Sequence, residues 1–337
     1  MLATLALPAG HDVPALQRRP TIRVRSADEL RTALRQGRAH ALTLDGSGLD
    51  RVLRLDAKHG VIEVQAATTW TTLAAYLASH KISLDAFAGT CDLPATVGEA
   101  ISQAAAGPDG LPVSAHAVAV TLVTHDGELR RADRQSNREL FRLVLGGHGV
   151  IGVLYSVTLS IDSLRDSAAA AIAPVELGIA EPKSGYADCT AEYLLPPAAL
   201  EAYLKDVRLL AEERRLALYR ISVRRYRPDA HALLTWAPRE WAGVQVRFGT
   251  KANLGASVSA AEARAALLEA ALAHGGSFPI RDLRDASRRQ IEACYPMLGA
   301  FLAEKRRGDP AERLQNTWYR DVLAKMRRDP CEVRWGK

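Results

Sequence analysis

The sequence predicts an α+β protein of two domains. Three observations carry this prediction. Its 337 residues, 48% of them hydrophobic, suffice for two ordinary cores. Short β-branched runs alternate with capped helical segments in both halves of the chain. An Ala-rich stretch near Ala168 to Pro174 then marks the crossing from one half to the other. The resulting division is a lead over residues 1–22, a first domain over 23–165 and a second over 175–337.

The elements follow in order. Ser26-Ala-Asp-Glu29 reads as a capping box, with the serine hydroxyl accepting from free backbone NH groups and Glu29 reaching back, for a helix through about Arg35. Short strands are expected at Ala41 to Leu44, Val52 to Asp56 and Val61 to Gln65, the last with the alternation of a half-buried strand. Thr69 to Ser79 places Trp70, Leu73, Ala74 and Leu77 at helical spacing and ends near His80. Val118 to His125 is rich in β-branched residues and turns through Asp126-Gly-Glu128 into Leu129 to Ala132, a hairpin. A helix over Glu139 to Val144 stops at Gly146-Gly147, and a long strand runs from Val150 to Ile161. The second half opens with a strand around Thr190 to Leu194 and a helix from Pro196 to about Arg214. Strands near Leu218 to Arg225 and Gly243 to Phe248 precede a helix over Ser259 to Ala273, stopped by Gly275-Gly276.

Composition excludes several functions. The net charge of +6 is spread thinly, and Arg214-Arg215, Arg224-Arg225 and Arg327-Arg328 read as solvated faces, so nucleic acid is not expected as a partner while an anionic small molecule is compatible. Four cysteines lie far apart with no CxxC pair, as for reduced thiols in a cytoplasm. No stretch nears the roughly 18 to 20 apolar residues of a membrane span. The mildly apolar Met1 to Gly10 lacks a basic leader and is broken by Pro8, so a soluble, unexported protein is expected. There is no HExxH and no histidine pair at i, i+4, which argues against a metal, and no GxSxG elbow for a hydrolase. His148 is the one histidine to watch. Gly46-Ser-Gly48 and Gly146-Gly-His-Gly149 lack the spacing of nucleotide loops.

Three segments place glycine where a large flat ligand would need close approach of the backbone, although such turns are also ordinary structural turns. They are Ala95-Thr-Val-Gly-Glu-Ala-Ile101 with Gly107-Pro-Asp-Gly110, Gly146-Gly-His-Gly-Val-Ile-Gly-Val153, and the tail from Ile291 to Arg320. With Val61 to Trp70 and Asp126-Gly-Glu128, their order from Val24 to Ile161 resembles the FAD-linked oxidases, with the PCMH-type domain of the vanillyl-alcohol-oxidase family. From Tyr186 onward the chain looks like the substrate and cap domain of bacterial sugar and alcohol oxidases of the decaprenylphosphoryl-ribose oxidase type. The resemblance implies a two-subdomain FAD-binding domain followed by an α+β cap domain. It implies non-covalent FAD bound by Gly89, Thr90, Thr96, Val97, Gly98, Gly107, Gly149, Ile151, Gly152 and Val153. It also places Arg281 nearest the position of the family's lysine, where an arginine stabilises an anion and does not act as a base.

The departures matter as much. The family's Arg-Gly-Gly-Gly-His-Ser type loop and its strand are replaced by Gln36-Gly-Arg-Ala-His40, and a Gly-Ser pair is replaced by Pro112-Val-Ser114. Losing three hydrogen bonds to a charged diphosphate removes about 4.5 to 9 kcal/mol. Arg35 and Arg38 are candidate replacements. The segment bearing the family's flavin-linked histidine is absent. Three readings follow: an FAD-dependent oxidoreductase acting on a small alcohol, sugar or biosynthetic intermediate; a flavin-free descendant catalysing a non-redox cyclisation or isomerisation with Arg281 as electrostatic stabiliser; and a non-catalytic accessory protein. Trp70, Trp236, Trp241, Trp318 and Tyr319 read as core or interface rings.

Overall fold

The computed structural model describes residues 21–36, 43–88, 93–182, 184–253 and 255–327. The chain opens with β1 (Thr21–Arg23), α1 (Ala27–Gln36) and β2 (Thr43–Asp45), and the two strands pair in parallel. Leu30, Ala33 and Leu34 recur at one-turn spacing and so bury one face of α1. They pack with Val24, Leu49 and Val123 in a small core. Ser26 caps α1 by accepting the Glu29 amide at 3.2 Å, but the Glu29 carboxylate accepts from the Arg25 amide at 2.8 Å and not from Ser26, so the expected box closes one residue early.

An antiparallel five-stranded sheet follows, built from β3 (Val52–Asp56), β4 (Val61–Gln65), β5 (Ala117–Val123), β6 (Leu129–Asp133) and β7 (Val153–Ser160) in the order β3-β4-β7-β5-β6. Helices α2 (Trp70–Ser79), α3 (Asp85–Ala88), α4 (Val97–Ser102) and α5 (Arg138–Val144) lie between its strands in sequence, and α6 (Ile161–Ala169) follows the last of them. The core formed with them joins Ile62, Val64, Val120 and Val157 to Leu73, Val97, Ile101, Phe141 and Leu164. Helix α2 follows the expected span, with Thr69 as its cap, the hydroxyl accepting from the Thr72 amide at 3.0 Å, and it ends at His80. The long strand expected over Val150 to Ile161 is shorter. Ser160 caps α6 by accepting the Ser163 amide at 3.3 Å, and Ile161, Leu164 and Ser167 then bury a helical face that the β-branched Ile161 masks in sequence.

The second lobe is an antiparallel sheet of β8 (Val175–Ile179), β9 (Tyr186–Leu195), β10 (Ala217–Tyr226) and β11 (Trp241–Lys251) in the order β8-β10-β11-β9. Tyr193, Ile221, Val244 and Val246 share a core with Tyr203 and Val207 of α7 (Leu200–Glu213) and Leu267 and Ala271 of α8 (Ala256–Ala273). A 3-10 turn at Pro197–Ala199 precedes α7. Because side chains alternate along a strand, Glu192, Gln245 and Ser222, paired across three strands, fall on the opposite face. That face is polar and turns toward the first lobe.

The chain closes with α9 (Arg288–Cys294), α10 (Leu298–Gly308) and α11 (Thr317–Met326), and the α10–α11 segment returns to the first lobe. Leu314 joins the core around α1, Arg313 donates to the carbonyls of His125 (2.7 Å) and Leu34, and Asn316 donates to the His148 carbonyl at 2.6 Å. The turn that starts this return is held by Asp309, buried in an ion pair with Lys305 and accepting the Arg313 and Leu314 amides at 2.9 Å each. The β10–β11 connection also grips the first lobe. Arg227 bonds Asp109 at 2.9 Å and the Gly110 carbonyl at 2.8 Å, and the Trp236 indole donates to the Ala104 carbonyl at 2.8 Å. Among the described residues no helix is long and apolar enough to cross a membrane, and no group of His, Cys, Asp and Glu could hold a metal.

Candidate active site between the lobes

The site is organised by the six-residue helix α4. Thr96 caps it, accepting the Glu99 amide at 3.3 Å. Gly98 lets it sit against the end of β4, because a Cβ there would lie 2.7 Å from both the Cβ and the carbonyl oxygen of Ala66. The amides of Val97 and Gly98 donate to the carbonyls of Thr68 (2.9 Å) and Ala66 (2.8 Å). So docked, α4 presents Glu99 and Gln103 to two cavities at once, with the Gln103 amide donating to the Glu99 carboxylate at 3.2 Å.

The first cavity measures about 510 Å³, inside the range of roughly 300 to 1,000 Å³ for ligand sites. Leu49, Ala66, Ala67 and Leu154 make it largely apolar, and Trp318 and His148 add a stacked ring pair, 4.0 Å between centroids and 10° from parallel. His148 sits at φ +51° within the glycine turn, and its buried Nε2 has no hydrogen-bond partner. Burial, assisted by the charge of Arg281, depresses its pKa to about 3, so the imidazole is neutral.

The second cavity, about 330 Å³, is polar. Glu192, Ser222, Arg224, Tyr226 and Gln245 enter it from the sheet of the second lobe, and Arg281 from the loop before α9. The Tyr226 hydroxyl donates to one oxygen of Glu192 at 2.5 Å, and the Arg281 guanidinium pairs with the other. Burial, then the charge of Glu192, push the Tyr226 phenol well above its ordinary pKa. Burial opposes the charge on Arg281, but Glu192 and Asp282 outweigh it and the guanidinium stays protonated, with half its side-chain surface open to the cleft.

The sequence candidates separate against this geometry. Thr96, Gly98, Gly149 and Val153 line the first cavity, and Arg281 the second. Val97 is buried in the first-lobe core, and a side chain at Gly152 would collide with Leu122. Ile151 lines a different cavity of about 590 Å³ beside Arg130 and Arg138. Gly107 closes a turn by donating to the Leu111 carbonyl at 2.6 Å, and Gly110 in the same turn abuts the backbone of Arg225. Gly89 and Thr90 lie outside the described residues, as does Arg38. Arg35 is committed to Glu128 at 2.7 Å. Sequence reasoning missed Glu99, Gln103, Glu192, Tyr226, Asn316 and Trp318. Glu99 was legible inside the Thr-Val-Gly-Glu segment; the sheet residues carry no local signal.

Residues 16–133 match the FAD binding domain family. Two solved structures of alkyldihydroxyacetonephosphate synthase, in crystal forms P212121 and P1, superpose with TM-scores of 0.59 and 0.57 at 12% identity. Each covers 87% of this chain, and the chain covers 75% and 76% of them. At that identity the likeness shows the fold alone: two α+β lobes, of which the first is a PCMH-type domain carrying the match to the FAD binding domain family. No curated protein sequence matches the chain.

The match of residues 16–133 to an FAD binding domain points to FAD, and the first cavity fits one end of it. An apolar slot walled by a neutral ring stack suits a flavin ring. The diphosphate finds no such match among the described residues. No Lys or Arg lines the cavity, Glu99 does, and the nearby amides of Ser47, Val97, Gly98 and Glu99 already donate to Asp45, Thr68, Ala66 and Thr96.

Proposed function

We propose that the protein is a flavin-linked oxidoreductase acting on a small hydroxylated molecule, of alcohol or sugar type, in the polar cavity. The observation that carries this reading is the shared wall: Glu99 and Gln103 line both cavities, so a ring in the first adjoins a ligand in the second. A bound flavin would supply the acceptor for the hydride leaving the substrate carbon.

The remaining work falls to the chain's own residues. The Tyr226 hydroxyl is committed as a donor to Glu192, so its oxygen is left to accept from a substrate hydroxyl and orient it. Glu192 in turn fixes Arg281, whose permanent charge stabilises negative charge developing in the cleft. Glu99 is the carboxylate on the shared wall and takes the proton of the reacting hydroxyl. With bound flavin retained, Glu99→Gln is expected to lower kcat by about 10²-fold or more, the usual scale for a positioned general base. Substrate-dependent bleaching of flavin absorbance that is unchanged in Glu99→Gln and in Arg281→Ala would sink these assignments.

The internally satisfied amides and the absence of a cation on the first cavity's described lining favour a second reading, in which the same cleft works without flavin. Glu99, Tyr226 and Arg281 then form a proton-transfer set for a non-redox isomerisation or cyclisation. This reading predicts a protein that gives no spectral response to any added flavin, yet converts a bound ligand without net oxidation and loses that turnover in Arg281→Ala.

A further inference from the structure

We infer that Trp318 is a positioning residue for Arg281. Its ring walls the first cavity while its indole N–H holds the loop that carries Arg281 into the second, so one side chain sets both cavities. This rests on the flavin-linked reading above and goes beyond it by giving a role in the polar cavity to a residue outside that cavity's described lining.

The chain from Phe278 to Ser287 forms no helix or strand, so its course depends on what its backbone groups meet. Three of its carbonyls are met from α11. The Trp318 indole donates to that of Ile280 at 3.1 Å, and the Lys325 ammonium donates to those of Arg284 at 2.7 Å and Ala286 at 3.0 Å. Arg281 follows Ile280 directly, and its guanidinium pairs with Glu192 on the wall of the polar cavity. Helix α11 is itself fixed against the first cavity. Asn316 caps it by accepting the Tyr319 amide at 2.9 Å and donates to the His148 carbonyl at 2.6 Å. The Trp318 ring lies on the His148 ring, 4.0 Å between centroids, and Phe301 of α10 meets it at a steep angle, so the direction of the indole N–H is set.

Ile280 is only 3% exposed, so losing this donor leaves a carbonyl with little access to water. The loop must then move to satisfy it, and Arg281, one residue on, leaves the geometry in which Glu192 holds it. A preorganised charge needs both its backbone and its tip fixed; Glu192 fixes the tip and Trp318 the backbone.

The test is a double-mutant cycle on the full chain loaded with FMN or FAD, read without oxygen as the rate of flavin bleaching by a small alcohol or sugar. Trp318→Phe keeps a ring on the first cavity and removes the donor. It should leave flavin affinity within about threefold and lower the bleaching rate constant divided by the substrate Kd about fivefold, the scale of one hydrogen bond. In the Arg281→Ala background the same change should cost less than about twofold, because its effect has nothing left to act through. Lys325→Met frees the other end of the loop and leaves the ring wall in place; it should show the same dependence on Arg281, which covers the case in which Trp318→Phe does not fold. A loss that persists at full size in Arg281→Ala, a Trp318→Phe protein that bleaches like the wild type, or a loss confined to flavin affinity overturns the inference and leaves the flavin-linked function standing. A wild type that no small alcohol or sugar bleaches overturns both.

Discussion

His148 sets a pH dependence that can be worked from its surroundings. Its ordinary pKa of 6.5 falls to about 3 in the fold, first because it is buried and second because Arg281 is near. The unfolded chain therefore binds a proton at this site over a range where the folded chain does not, and stability falls as pH drops below about 6.5 toward 3. Each pH unit inside that window removes about 1.4 kcal/mol, which amounts to about 2 kcal/mol between pH 7 and pH 5. His148→Asn removes the titrating group and tolerates the left-handed backbone at φ +51°. It also loses the stack on Trp318, so the informative quantity is the change with pH and not the absolute stability. Urea unfolding of both proteins at pH 7 and pH 5 measures it, and the wild type should lose about 2 kcal/mol more than the variant. Equal losses would refute the reasoning and mean that the imidazole is solvated and titrates normally.

Three further outcomes are expected. Gly98→Ala drives a methyl into Ala66, so α4 must shift; about 1 to 3 kcal/mol of stability should go in urea unfolding, with the loss of any ligand binding that depends on the Glu99 wall. Asp309→Ala leaves Lys305 buried without its partner and frees two backbone amides, and should cost about 3 to 5 kcal/mol, more than Lys305→Met, when their denaturation midpoints are compared. Asp109→Asn weakens the first lobe's hold on Arg227 and the bond from Ser167 that steadies Asp109, and limited proteolysis should then cut the β10–β11 connection faster.

Much of the fold was legible because local rules and tertiary packing agree. The helical spacing of Trp70, Leu73 and Leu77 specifies an amphipathic helix, and Asp126-Gly127 after a β-branched run specifies a hairpin; both are present. Helix α6 was hidden because Ile161 continues a β-branched run, while the burial that makes it helical recurs only from Leu164. Strand β8 was not read from the sequence, since it is an edge strand whose Val175 stays exposed and its strand identity comes from pairing with β10. The first cavity was legible in part, through Thr96, Gly98, Gly149 and Val153, because Gly98 allows a close approach to Ala66, Thr96 caps the helix that carries it, and Gly149 takes a left-handed turn at φ +72°. The second was not. Glu192, Ser222 and Gln245 meet only through cross-strand register, and Trp318 arrives from a tail that folds back across the molecule onto His148, so no spacing in the chain announces either group.

The most direct test of the central claim is the visible absorbance of the protein with stoichiometric FMN or FAD, recorded without oxygen before and after a panel of small alcohols and sugars is added. A flavin in the first cavity whose absorbance bleaches on addition of a hydroxylated substrate, and bleaches far more slowly in Arg281→Ala, is the predicted result. A spectrum identical to that of free flavin and unchanged by every substrate would contradict the account and leave the polar cleft to chemistry that needs no redox partner.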